Sequence, residues 1–298
     1  MPKIYKIETL GCKVNSYESQ AMSDLLKKEG YQEGGNEDKA DVYIINTCAV
    51  TNKSEAKSRQ KINKAIRENK DSTVIVVGCY SQKDKDELLK IKGTNIILGT
   101  HKRDDLIKYI DTYEKTKKTV VDIDDEYERE YEKLSVMTFD NQKRAYVKIQ
   151  DGCHNFCSFC IIPYTRKKPR SRNKDDILKE IKRLEEAGFL EIVLTGIHTG
   201  GYGVDLKDYC FGDLLEDISK TVNMIKRIRI SSIEINEVDE KVLRVIKRDE
   251  RFLNHLHIPI QSGSDFILEK MNRKYSKDFF IEKINTICWL YYDTNTIY

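Results

Sequence analysis

Long apolar runs are absent from this sequence. Stretches such as Val74-Ile75-Val76-Val77 fall far short of the roughly 20 residues that a membrane helix needs. The start, Met1-Pro2-Lys3-Ile4-Tyr5-Lys6, has no signal-peptide core. No membrane is expected, and the cytoplasm is the expected compartment. An excess of one charge is also missing: 52 Lys and Arg stand against 49 Asp and Glu, a net +3, so the total charge does not announce a nucleic-acid binder. Low-complexity tracts and internal repeats are absent as well, apart from the strand-helix alternation described below. What is present suffices for a folded protein. The 298 residues suggest two domains at about 150 residues each, with ample length for a core. Despite 34% charged residues and a mean hydropathy of -0.59, 39% hydrophobic content with 17 Tyr excludes wholesale disorder.

The small net charge hides an uneven distribution. Residues 122–132 hold seven acids and one Arg, whereas 166–174 hold six basic residues in nine: Arg166, Lys167, Lys168, Arg170, Arg172 and Lys174. The second run invites a contact with RNA phosphates, its alternative being a solvated surface turn. The eight cysteines of a cytosolic chain are better candidates for metal ligation or catalysis than for bridges.

Three strand-then-helix units occupy the first 100 residues. A strand over 3–10 ends at Gly11-Cys12 and leads to a helix over 16–29, with Ala21, Met22, Leu25 and Leu26 inward and Gly30 as its stop. A buried strand over 41–47 ends at Cys48; Thr51 or Asn52 then caps a helix running to 69, with Ala56, Ile62 and Ile66 on one face. A third strand over 72–78 ends at Cys79, with more helix from near Lys83. The fold class is therefore α/β: an open parallel sheet with helices on its faces. A charged segment carrying a helix and an edge strand follows, and sets the expected domains: 1–115, a linker over 116–142, and 143–298. The second domain repeats the alternation, with strands over 144–149, 191–195, 227–233 and 255–260 and helices over 174–187, 214–222 and 239–248. That pattern is a partial (β/α) barrel.

Cys12, Cys48 and Cys79 are 36 and 31 residues apart, a spacing without meaning as a local motif. In a parallel sheet all carboxyl ends share one edge, so three cysteines at equivalent strand ends can converge there as metal or cluster ligands. The alternative is three buried small hydrophobes. After the first strand of the second series comes Cys153-His154-Asn155-Phe156-Cys157-Ser158-Phe159-Cys160. Three thiolates on one short loop hold three corners of a four-iron cube and leave one iron open, which points to chemistry rather than a closed structural site. A zinc site completed by His154 or a distant His is the competing reading.

The Cys-x3-Cys-x2-Cys loop at the start of a β/α barrel resembles the radical S-adenosylmethionine (SAM) enzymes, and with the preceding three-cysteine domain the chain looks like the methylthiotransferases. Thr9-Leu10-Gly11-Cys12-Lys13-Val14-Asn15-Ser16-Tyr17-Glu18, Asn46-Thr47-Cys48-Ala49-Val50-Thr51, Gly78-Cys79-Tyr80-Ser81-Gln82 and Val147-Lys148-Ile149-Gln150-Asp151-Gly152 are similar to the branch that modifies threonylcarbamoyladenosine in tRNA. The isopentenyladenosine branch has Gln-Met where Lys13-Val14 stand, and the ribosomal-protein branch has Pro-Lys. The likeness covers nearly the whole chain.

This resemblance implies two [4Fe-4S] clusters. Cys153, Cys157 and Cys160 would hold the one whose open iron takes SAM, one electron then giving methionine and a 5′-deoxyadenosyl radical that removes hydrogen from C2 of the adenine. Cys12, Cys48 and Cys79 would hold the auxiliary cluster that carries the inserted sulfur or methylthio group. A second SAM supplies the methyl, making two per turnover, and an electron donor such as flavodoxin or ferredoxin is implied. Gly200 and Gly201, in the glycine-rich run after the second barrel strand, would approach the methionyl group, and Gln261 and Ser262 would line the SAM pocket. No residue is singled out as a catalytic acid or base. Cys210 and Cys288 match no ligand position, and His154 stands where Asn is common.

Two departures from the family pattern matter. Lys167 replaces the usual Gly. The family barrel has six strands followed by a small β-barrel RNA-binding (TRAM) domain, whereas four strands are expected here before the tail Cys288-Trp289-Leu290-Tyr291-Tyr292 drifts from the family. The expectation is a C-terminally truncated chain. It would be a methylthiotransferase acting on threonylcarbamoyladenosine or, alternatively, on isopentenyladenosine, or else a non-catalytic iron–sulfur-binding fragment.

Overall fold

The computed structural model describes residues 2–35, 37–124, 130–137 and 143–292, with backbone alone for 289–292. Part of the acidic run (125–129), the end of the expected linker (138–142) and the side chains of the drifting tail after Cys288 lie outside the described residues. The chain divides into two compact units, Met1–Thr138 with Tyr164–Arg166, and Phe139–Pro163 with Lys167–Tyr298.

In the first unit the chain runs β1 (Ile4–Thr9), α1 (Lys13–Lys28), β2 (Gln32–Glu33), β3 (Val42–Thr47), α2 (Asn52–Glu68), β4 (Thr73–Gly78), α3 (Cys79–Lys83), α4 (Lys85–Leu89), β5 (Ile96–Leu98), α5 (Leu106–Thr116) and β6 (Val120–Asp122). All strand pairs are parallel, in the order β2-β1-β3-β4-β5-β6. Every residue of β3 and β4 is buried, as expected of central strands covered by helices on both faces. The core packs Val42, Ile44, Ile75 and Val77 against Met22 and Leu26 of α1 and Leu106 and Ile110 of α5. Thr51 caps α2 by accepting from the Ser54 amide at 3.1 Å. The helix expected near Lys83 is two short pieces that meet at Asp84, whose side chain caps the second. The expected edge strand is β6, which pairs with β5, so the first unit continues past residue 115 and takes in the start of the segment read as a linker.

The second unit contains β7 (Ala145–Asp151), α6 (Ile162–Thr165, whose last two residues belong to the first unit), β8 (Arg170–Ser171), α7 (Lys174–Glu186), β9 (Glu191–Gly196), α8 (Phe211–Thr221), β10 (Arg227–Ile230), α9 (Glu240–Arg248), α10 (Asp265–Lys270) and α11 (Lys277–Tyr292). The sheet order is β10-β9-β7-β8, parallel except for the short β8. Three of the four expected barrel strands form. The fourth, over 255–260, does not: the chain before it makes one bridge to β10, between Ile228 and Phe252, with the Ile228 amide donating to the Arg251 carbonyl at 2.7 Å and the Leu253 amide to the Ile228 carbonyl at 3.1 Å, and beyond β10 the Ile233 amide donates to the His257 carbonyl at 3.1 Å. Pro259 has no N–H to continue such a ladder. Among the described residues no helix is long and apolar enough to cross a membrane.

Candidate functional site

The carboxyl ends of β1, β3 and β4, three adjacent strands, deliver Cys12, Cys48 and Cys79. Cys48 and Cys79 directly follow their strands and are buried, whereas Cys12, at the start of α1, is exposed. The backbone at Gly11 passes so close to Cys48 that a Cβ there would lie 3.0 Å from the Cys48 Cβ and 3.1 Å from its Sγ. Asn15, one turn into α1, ties the ends together: its Nδ2 donates to the Leu10 carbonyl at 2.7 Å and the Thr47 carbonyl at 3.0 Å, and its Oδ1 accepts from the Cys12 thiol at 3.6 Å. Burial pushes the Cys79 thiol up, against the pull of Arg166, while the Cys12 sulfur is near enough to add to the rise.

A buried ion network backs these cysteines. Arg166 Nε donates to Cys79 Sγ at 3.4 Å, Nη1 to Glu18 Oε1 at 2.8 Å, and Nη2 to Glu18 Oε2 at 3.1 Å and Asn15 Oδ1 at 3.0 Å. Glu18 also pairs with Arg103 at 2.5 Å, and Arg103 with Glu132 at 2.5 Å. Two cations and two anions thereby satisfy one another away from water, as buried charges must. Asn46 Oδ1, beside Gly78, is buried without a partner, so polar capacity remains next to Cys79.

In the second unit β7 ends at Asp151, whose carboxylate accepts from the Gly152 amide at 2.8 Å and from buried Lys148 at 2.7 Å. The loop with Cys153, Cys157 and Cys160 is clamped by residues 271–273. The Met271 carbonyl accepts from the Ser158 amide at 3.2 Å; Asn272 Nδ2 donates to the Asn155 and Phe156 carbonyls at 3.1 and 3.0 Å; Arg273 Nη1 donates to Cys157 Sγ at 3.3 Å and Nη2 pairs with Glu234. Burial raises the Cys160 thiol, and the charges of Cys153 and Cys157 act in the same direction, so the three sulfurs share one neighbourhood. His198 pairs with Glu237 and reaches Cys153. Burial disfavours its cation, but Cys153 and Glu237 outweigh that and push it up to about 10.

Gly200 and Gly201 form a 3-10 turn beside this group. Side chains are excluded there: a Cβ on Gly200 would overlap Glu237, and one on Gly201 would overlap the His198 ring. His198 Nδ1 and Thr199 Oγ1 are buried without partners, so a polar ligand could satisfy them. Gln261, exposed and at φ 62°, and half-buried Ser262 form a local turn, in which the Ser262 amide donates to the Ile260 carbonyl at 2.7 Å.

The arginines of the basic run 166–174 are not a solvated phosphate-binding surface. Arg166, Arg170 and Arg172 are buried. Arg170 lies 3.6 Å from Asp151, and Arg172 donates to Glu180 at 2.9 Å. Only Lys168 and Lys174 are exposed. Opposite charges far away in sequence claim the arginines, and composition cannot reveal that. Asn15, Glu18, His198, Glu237 and Arg273 were likewise not singled out as site residues; Asn15 and Glu18 do stand within the Cys12 motif, which was the available signal.

Each three-cysteine set is all-sulfur, the donor type that holds iron–sulfur clusters. Among the described residues no three His, Cys, Asp or Glu side chains are drawn together as a mononuclear site requires, with every ligand about 2 Å from one ion.

Residues 147–297 match the radical SAM superfamily, and residues 4–99 match a family described as uncharacterized protein family UPF0004. A threonylcarbamoyladenosine tRNA methylthiotransferase of Aquifex aeolicus is 38% identical, covering 94% of this chain and 68% of its own length. The chain belongs to the tRNA methylthiotransferase family of radical SAM proteins. Within the family, the Bacillus subtilis threonylcarbamoyladenosine tRNA methylthiotransferase MtaB is 48% identical over 280 residues, 94% of this chain and 62% of the relative. A tRNA-2-methylthio-N(6)-dimethylallyladenosine synthase of Clostridium tetani is 34% identical over 94% of this chain and 63% of the relative. The chain thus spans about six-tenths of the length of the curated relatives it matches. Among solved structures, the radical SAM methyltransferase TsrM from Kitasatospora setae, with cobalamin and a [4Fe-4S] cluster bound, superposes with a TM-score of 0.64 at 13% identity, over 97% of this chain and 67% of that one. The cobalamin-dependent SAM radical enzyme OxsB gives 0.64 at 14% identity, over 97% and 48%. At such identities these two speak for the fold alone.

Proposed function

We propose that this chain carries the two cluster sites of a cytoplasmic tRNA methylthiotransferase that adds a methylthio group to C2 of threonylcarbamoyladenosine. Cys153, Cys157 and Cys160 would hold one [4Fe-4S] cluster, and Cys12, Cys48 and Cys79 the other. When bound, the first supplies an open iron and an electron for cleaving SAM, and the second carries the sulfur to be inserted. Two SAM molecules per turnover, an electron donor of the flavodoxin or ferredoxin kind, and a tRNA complete the reaction.

The chain's own residues position and enclose. Residues 271–273 fix the backbone of the Cys153 loop, and Arg273 donates to a ligand sulfur while Glu234 balances its charge. Gly200 and Gly201 would let a methionyl group approach, with Thr199 Oγ1 and His198 Nδ1 free to bond its polar atoms. The Gln261-Ser262 turn would close the pocket. The observation that carries the reading is two separate three-cysteine sets, one per unit, the first at three strand ends and the second on the loop after β7; it is joined by identities of 48% and 38% to two threonylcarbamoyladenosine enzymes, above the 34% to a dimethylallyladenosine one.

The test is anaerobic reconstitution of the full chain and of its Cys153→Ala, Cys157→Ala, Cys160→Ala variant, with iron counting, SAM cleavage and nucleoside mass spectrometry of added tRNA. About eight irons falling to about four in the variant, with cleavage and methylthiolated threonylcarbamoyladenosine only in the parent, is expected. Product on isopentenyladenosine instead would move the substrate to the other branch. Two clusters without cleavage would mean a non-catalytic carrier, and iron in neither protein would end the proposal.

A further inference from the structure

We infer that Arg166 is a positioning residue for the auxiliary cluster site, its guanidinium donating to the Cys79 sulfur and raising the reduction potential of the cluster bound there. The inference rests on the proposed cluster at Cys12, Cys48 and Cys79.

Arg166 is fully buried, and its donors divide between two tasks. Both terminal nitrogens engage Glu18, one of them also Asn15, and Nε donates to Cys79 Sγ at 3.4 Å. Arg166, Glu18, Arg103 and Glu132 pair with one another, so the guanidinium has a carboxylate partner besides the cysteine. It is nevertheless the cation next to that sulfur. Cys79 is buried, and a thiolate without a donor is costly there; a charged N–H on the sulfur offsets the cost and favours the more negative, reduced cluster. Asn15 extends the device. Its Oδ1 joins Arg166 to the Cys12 thiol, and its Nδ2 joins the backbone leading into Cys12 to that leading into Cys48. One buried cation therefore acts on Cys79 directly and reaches the other two cysteines through a single side chain. Lysine cannot reproduce this fork, because its ammonium lacks the planar set of donors.

The test uses the full chain in the Cys153→Ala, Cys157→Ala, Cys160→Ala background, where iron reports the auxiliary site alone. Three forms are compared after anaerobic reconstitution: Arg166 intact, Arg166→Lys, and Arg166→Gln with Glu18→Gln, which removes both charges of one pair. The readouts are iron count, rate of iron loss to a chelator, midpoint potential from an EPR-monitored titration, and the thermal melt. The paired Gln variant is expected to bind its cluster about 10–100-fold more weakly and to titrate at lower potential with an unchanged melt; the Lys variant should fall between. If the paired Gln variant does not melt like the parent, Arg166→Met with Glu18→Leu removes the same donor as an apolar pair and is read the same way. A parent with about four irons whose potential and iron retention survive loss of the guanidinium overturns the inference alone. A parent without iron overturns the proposed function first, and this inference with it.

Discussion

The backbone of Gly152 lies directly against the carbonyl of Lys168, so closely that a Cβ at 152 would overlap the Lys168 oxygen. Gly152 also sits at φ +74°, and the next amide, that of Cys153, donates to the Lys167 carbonyl at 3.0 Å. The start of the three-cysteine loop is thus seated on the chain that returns from it. Gly152→Ala is expected to cost at least about 2 kcal/mol, since the left-handed backbone and the overlap add, and to lower the iron held by the second unit. Urea unfolding and iron counting of the Cys12→Ala, Cys48→Ala, Cys79→Ala background with and without the substitution check this; an undiminished iron count with unchanged stability would sink it.

Lys167 occupies the left-handed region at φ 62°, the position at which the family resemblance leads one to expect Gly. A side chain is strained there by about 1–2 kcal/mol. Lys167→Gly should therefore be neutral or raise stability by up to about 1 kcal/mol, whereas Lys167→Ile should lower it. Denaturant midpoints of the three proteins decide, and Gly falling below Lys would contradict the reading.

Arg172 and Glu180 form a buried pair at 2.9 Å, with Arg172 also donating to the Lys148 carbonyl at 3.3 Å. Removing one partner of such a pair leaves a buried charge uncompensated. Arg172→Gln should cost about 3 kcal/mol and, on the proposed function, leave the salt dependence of tRNA binding unchanged. Exposed Lys168 and Lys174 are the residues of this run whose replacement would reduce the salt slope. Filter binding of tRNA across a salt series, beside thermal melts, separates the two classes.

Asp249 accepts from Arg251 at 2.8 and 2.6 Å and from the Ser219 hydroxyl at 2.7 Å. Burial opposes its ionisation, but these donors outweigh it and hold the carboxyl at about 2, below its ordinary 3.8. The unfolded chain takes up the proton first as pH falls, so the contribution is fully present above about pH 4 and is lost as pH drops towards about 2. Asp249→Asn should destabilise at neutral pH and by progressively less across that window. Urea midpoints of both proteins from pH 2 to 5 would refute this if their difference stayed constant.

Cys210 bonds Asp213 at 3.0 Å at the start of α8 and belongs to neither triad. Cys210→Ser should leave the reconstituted iron unchanged, whereas Cys48→Ser should lower it, and iron counting on the two variants compares them directly.

Sequence by itself determined most of the strand-helix order and the positions of Cys12, Cys48, Cys79 and the Cys153 loop after their strands. Period-2 and period-3.6 patterns, helix caps and glycine stops are local signals, and in a parallel sheet the carboxyl end of each strand lands on the same edge. Cys12, Cys48 and Cys79, more than 30 residues apart, could therefore be assigned to one edge before any coordinate. Tertiary structure alone decided where the charges went. The arginines of 166–174 look the same on paper whether they face water or Glu18, Asp151 and Glu180, and what settles it is which carboxylates the packed helices and strands bring within about 4 Å. The same holds for residues 255–260, whose apolar character suits a strand, yet whose Pro259 and sparse bonds to the chain beyond β10 leave them without a ladder. Local patterns reveal what a segment prefers; partners distant in sequence decide what it is allowed to keep.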